Sequence, residues 1–146
     1  MMKKRRMVKV YRFIAIKHFY NLAGYLLPIL AVFVLILGTY GSIGGLYLAP
    51  ADYQQGDAFR IIYVHVPSAF LSLFIYLVMA MAAVIGLIFR IKLADLIVSG
   101  SVFLGSWFTF LALLRGSVWA KPMWGAWCVW DARLTSELIL LFLYLG

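Results

Sequence analysis

Charge is what this chain lacks. Only 12% of its 146 residues are charged, about half of the roughly 25% usual for a soluble domain. With 66% hydrophobic residues and a mean hydropathy of +1.00, a water-soluble fold has little support. Acids are scarcer still, five against thirteen Lys and Arg. Asp131 and Glu137 stand six residues apart with no second acid beside either, so the paired carboxylates of general acid–base catalysis are missing. The single cysteine, Cys128, excludes an intrachain disulfide and any Cys-x-x-Cys motif. No nucleophile triad, phosphate-binding loop or cysteine-based metal cluster is present.

The positive charge that is there sits in one place. Seven of the thirteen basic residues lie between Lys3 and Lys17, ahead of the first apolar run. A net charge of +8 therefore does not indicate nucleic acid, since the rest of the chain supplies no basic groove for a phosphate backbone. A basic head before a first span is the pattern of a cytoplasmic N-terminus.

The apolar runs predict an all-α, polytopic transmembrane bundle in a single membrane domain. Residues 1–18 form the basic head, and 19–51 hold no charge, more than the roughly 20 residues a spanning helix needs. Gly24 and Pro28 fall inside this first span, where membrane helices tolerate them. Ala49-Pro50-Ala51 has the small-x-small form of a signal-peptide cleavage site, but the apolar run is far longer than the roughly 7–15 residues of a signal peptide. A polar loop, 52–60, precedes a second span, 61–89, interrupted only by His65. A short basic turn, 90–95, suits the cytoplasmic side and leads to a third span, 96–114. Three crossings then place 52–60 and 115–133 together on the opposite face. Residues 134–146 start a fourth span with Asp131 as the expected N-cap. Thirteen residues at about 1.5 Å each fall short of a hydrocarbon core about 30 Å thick, so the chain is expected to be the front portion of a longer protein. Gly41-x-x-x-Gly45 is a packing motif, read as intramolecular.

The loop RGSVWAKPMWGAWCVWDAR carries Trp119, Trp124, Trp127 and Trp130 within twelve residues. One reading is an aromatic belt at the membrane surface. The other is a ligand platform: the last three tryptophans recur at every third residue, and on a helical or 3₁₀-like segment they form one stripe, suited to a planar hydrophobic ligand. Arg115, Lys121 and Arg133 flank it as counter-charges for ligand carboxylates or as snorkelling partners of lipid phosphates.

His65 lies at the end of the second span that topology places beside this loop. Imidazole is a common metal ligand and one standard holder of haem iron, and an ionisable residue at a span end is a functional candidate; the competing reading is an interfacial hydrogen-bonded histidine. His18, among basic residues, reads as a solvated or headgroup-facing side chain, and Cys128 as a small apolar filler.

WGAWCVWD followed by ARLTSELILLFLYLG, together with RIIYVHVPSA, resembles the haem exporter protein C family of bacterial cytochrome c maturation, from about the first span to the last residue. The short first loop and early motif fit this family better than the larger synthetase-like haem-handling proteins. The resemblance implies a six-span inner-membrane protein that is not an enzyme. Its tryptophan-rich periplasmic loop would bind haem b, with His65 as one of two axial histidines and the second beyond Gly146. Trp124, Gly125, Trp127, Trp130 and Asp131 match the haem-binding motif, and Trp119 of the same loop is expected to bind haem with them. The implied partners are a membrane-anchored haem chaperone, two ABC-transporter subunits and a small membrane protein, besides the lipid bilayer. Where the family motif reads W-G-x-W-W-x-W-D this chain has Cys128, so one ring of the platform is missing. The alternative function is a structural or transporter subunit whose loop only anchors at the interface.

Overall fold

The computed structural model describes residues 16–146; positions 1–15 of the basic head lie outside the described residues. Four α-helices follow one another: α1 Ile16–Ile43, α2 Ile62–Phe89, α3 Lys92–Trp124 and α4 Ala132–Leu145. No strand occurs among the described residues. Three helical stretches, Ile16–Leu48, Asp57–Phe89 and Lys92–Trp124, are long and apolar enough to cross a membrane. At 33 residues each they measure about 50 Å, longer than the roughly 30 Å hydrocarbon core.

Each connection has a local cause. A π-helical turn, Gly44–Leu48, ends α1. The segment 52–56 closes on itself: Asp52 N–H donates to the Gly56 carbonyl at 3.2 Å and Gly56 N–H to the Asp52 carbonyl at 2.9 Å. Gly56 sits at φ +57°, a left-handed backbone that glycine adopts without steric cost. A 3₁₀ turn, Asp57–Ile61, then runs directly into α2. At the far end Arg90 takes φ +51° and donates its N–H to the Gly86 carbonyl, which stops α2 and folds α3 back antiparallel within three residues.

The α2–α3 hairpin and the α4 helix laid against it form the packed unit. Its buried positions are mostly small: Ser68, Ser72 and Ala82 on α2, and Ala94, Ser101, Gly105, Thr109, Ala112 and Ala120 on α3. Lipid supplies no hydrophobic drive between helices, so small residues that let backbones approach are what hold such a bundle. A Cβ on Gly105 would collide with the Tyr144 ring of α4. The helix α1 buries no residue, and its apolar side chains face outward all round. The Gly41-x-x-x-Gly45 motif packs only through Gly45, which meets the Tyr63 ring of α2; a Cβ on Gly41 would meet nothing within 4 Å.

Candidate functional site

Antiparallel pairing puts the start of α2 beside the end of α3, and α4 begins at that same end. A cavity of about 340 Å³ lies between the three helices, lined by His65, Trp119, Trp124, Trp127, Asp131 and Glu137 among others. That volume falls within the roughly 300–1,000 Å³ of small-molecule pockets.

His65 enters from the first turn of α2, its ring against Gly116 of α3: a Cβ there would stand 3.3 Å from the His65 Cε1. Glycine at that position gives the imidazole its room. The Nδ1 atom is buried on the α3 side of the ring, with the backbone of Ala112 and Gly116 beside the imidazole.

The tryptophans divide between helix and loop. The segment expected as a loop from residue 115 is helical as far as Trp124, so Trp119 stands on α3. Its indole N–H donates to Gln55 Oε1 at 3.2 Å, and its ring meets Trp124 edge to face at 4.8 Å between centroids. Gly125, at φ +74°, caps α3 by donating to the Lys121 carbonyl and turns the chain back over the cavity. Residues 125–131 are irregular, which overturns the expected helical stripe of Trp124, Trp127 and Trp130. The reason is Gly125: its left-handed conformation ends the helical repeat after the first of the three. Trp124 and Trp127 still line the cavity, half exposed at 49% and 59%. Trp130, 64% exposed, lies outside the lining. Lys121 Nζ stands 5.8 Å from the Trp127 ring centroid and donates to the Gly125 carbonyl at 3.1 Å. Cys128 also lines the cavity, its Sγ 3.5 Å from Ser117 Oγ.

Asp131 caps α4 as expected: Oδ1 accepts the Leu134 N–H at 2.8 Å. Its Oδ2 pairs with the Arg133 guanidinium at 2.8 Å. The Leu134 amide first, and Arg133 second, hold this carboxyl below the usual carboxylate range. Among the described residues no group of three or more His, Cys, Asp or Glu is arranged to hold a metal ion, so His65 offers a single nitrogen ligand.

Three residues escaped sequence reasoning. Glu137 lines the cavity and reaches Ser72 Oγ on α2 at 2.7 Å; the signal available was an acid inside an apolar helix, which marks function by default. Ser72 had no signal beyond its small size. Gln55 stood in a polar loop with nothing in the sequence to pair it with an indole 64 residues on.

A family profile described as "Heme exporter protein C" matches residues 9–146. The chain is 55% identical over 127 residues to Heme exporter protein C of Escherichia coli, covering 87% of this chain and 52% of that protein. It is 48% identical over 131 residues to the protein of that name from Bradyrhizobium diazoefficiens, covering 88% and 48%. With the Paracoccus denitrificans protein it shares 38% over 128 residues, covering 88% and 53%. The chain thus spans about half the length of these relatives. The family match covers all of the described residues, and the chain belongs to the Heme exporter protein C family.

Proposed function

We propose that this membrane-embedded chain binds haem b as cargo at the periplasmic face of the bacterial inner membrane and presents it for c-type cytochrome biogenesis. The observation that carries the reading is the place of His65, whose imidazole lines a cavity shared with the half-exposed indoles of Trp124 and Trp127. An imidazole lining the cavity suits iron coordination, and Trp124 and Trp127 offer flat apolar faces to a planar macrocycle. Arg133 lines the cavity, and Lys121 Nζ stands 5.8 Å from the Trp127 ring centroid, as counter-charges for carboxylates. The names of the relatives support haem as the ligand class.

In this reading no covalent bond is made or broken, and the chain acts by holding and handing on its cargo rather than as an enzyme. The basic head supports a cytoplasmic N-terminus, and with three crossings the cavity then lies outside the cytoplasm. The family resemblance supplies the partners: a membrane-anchored haem chaperone that receives the cargo, ABC-transporter subunits and a small membrane protein.

A second reading, an interfacial anchor, is favoured by the exposure of Trp124, Trp127 and Trp130. Haem titration of detergent-purified protein, followed at the Soret band, separates the two. Under the haem reading Trp124→Phe with Trp127→Phe weakens binding about 3- to 10-fold, the equivalent of lost ring contacts. The anchor reading expects no change.

A further inference from the structure

The Trp119 indole is held from outside the tryptophan motif. Asp52 Oδ1 accepts the N–H groups of Gln54 at 2.9 Å and Gln55 at 2.8 Å, and the paired backbone bonds between Asp52 and Gly56 close the same turn. Arg60 fastens this loop to the end of α1, donating from its guanidinium to the Leu46 carbonyl while pairing with Asp57 at 3.2 Å. The turn presents Gln55 Oε1 to the Trp119 Nε1–H at 3.2 Å. An indole nitrogen only donates, so the glutamine must present its carbonyl oxygen, and the amide orientation is fixed by chemistry. Trp119 in turn meets Trp124 edge to face, with 4.8 Å between centroids, and both rings line the cavity.

We infer that Gln55 is a positioning residue of the cavity: by accepting the Trp119 N–H it fixes the indole pair Trp119–Trp124 in the orientation a planar aromatic ligand meets. The inference deepens the haem reading and rests on it for the identity of the ligand. Its physical basis is that an indole has two side-chain torsions, and one hydrogen bond at its far edge removes the freedom that ligand binding would otherwise have to restrict. The first loop thereby becomes part of a site whose other members come from α2, α3 and α4.

Gln55→Leu removes the acceptor at similar size, and Gln55→Glu keeps an acceptor oxygen. In the detergent-purified chain, ultraviolet resonance Raman reports indole N–H hydrogen bonding, and near-ultraviolet circular dichroism reports the coupled ring pair. Gln55→Leu is expected to shift one tryptophan to the unbonded signature and reduce the dichroism, with Gln55→Glu like wild type. Haem affinity, titrated at the Soret band, falls about fivefold in Gln55→Leu, the equivalent of one neutral hydrogen bond, and is retained in Gln55→Glu. In a Trp119→Phe background Gln55→Leu has no further effect. Indole signals unchanged by Gln55→Leu overturn the inference, as does an equal loss of affinity with Trp119 absent. A wild-type chain that takes up no haem overturns the ligand assignment, while the indole signals still decide the positioning role by themselves.

Discussion

Ser72 Oγ and Glu137 Oε1 lie 2.7 Å apart, joining α2 to α4 across 65 residues of sequence. The same serine brings in a second tie, because its backbone carbonyl accepts the Tyr144 hydroxyl at 2.7 Å. One turn of α2 thus holds two side chains of α4 and fixes the wall of the cavity that carries Glu137.

Removing these ties should loosen α4 selectively. Interhelical hydrogen bonds in membrane proteins contribute about 0.6 kcal/mol on average, so Tyr144→Phe is expected to cost about that much in denaturant-titrated stability. Ser72→Ala costs more, roughly 1–3 kcal/mol, because it leaves a carboxyl without its partner. Ser72→Ala combined with Glu137→Leu should recover most of the loss, as an apolar pair replaces a broken polar one.

Gly105 admits the Tyr144 ring where any side chain would collide with it. Gly105→Ala should therefore displace α4 and destabilise the hairpin–α4 unit by about 1–3 kcal/mol, the usual cost of overpacking. Gly100→Ala, on the same helix with nothing within 4 Å, is the matched control and should leave stability within experimental scatter.

Asp131 gives the loop a defined acid response. Its carboxyl is depressed below the ordinary value of about 3.9 by the Leu134 amide and then by Arg133. A depressed carboxyl stabilises the folded state above the unfolded value and gives that contribution up as pH falls through the lower folded value. Protection of the amides in the first turn of α4, with each exchange rate referred to the intrinsic rate at that pH, should be flat from pH 7 to about pH 5 and fall below about pH 4. Asp131→Asn keeps a capping oxygen and should remove the acid dependence.

Cys128 is the only cysteine and is exposed, which makes it a built-in probe of sidedness. A membrane-impermeant maleimide added to intact cells should label it without permeabilisation, and bound haem should slow the labelling because the thiol lines the cavity. Labelling that appears only after the membrane is opened would contradict the proposed orientation.

Much of this was legible in the sequence, for identifiable reasons. Apolar runs are long and their message is additive, so three spanning helices could be read directly. The basic turn at Arg90 and Lys92 announced an antiparallel pair, and that pairing alone brings His65 to the end of α3. Asp131 was readable as a cap because capping is a contact between near neighbours. The stripe of tryptophans was not, because one left-handed glycine, Gly125, ends the helical repeat after Trp124 and leaves Trp130 out of the cavity lining. Trp130→Phe should accordingly weaken haem binding less than the same change at Trp124. The contacts of Gln55 with Trp119 and of Ser72 with Glu137 join distant segments, and no local pattern encodes a pairing across 64 or 65 residues.

The central claim is that the cavity between α2, α3 and α4 takes haem through the His65 imidazole. The most direct measurement is a haem titration of the purified wild-type chain and its His65→Ala variant, followed by the Soret position and by electron paramagnetic resonance of the ferric form. The account predicts a ligand-field spectrum in the wild type that His65→Ala shifts and weakens, with exogenous imidazole restoring it. Identical spectra for the two proteins would contradict it.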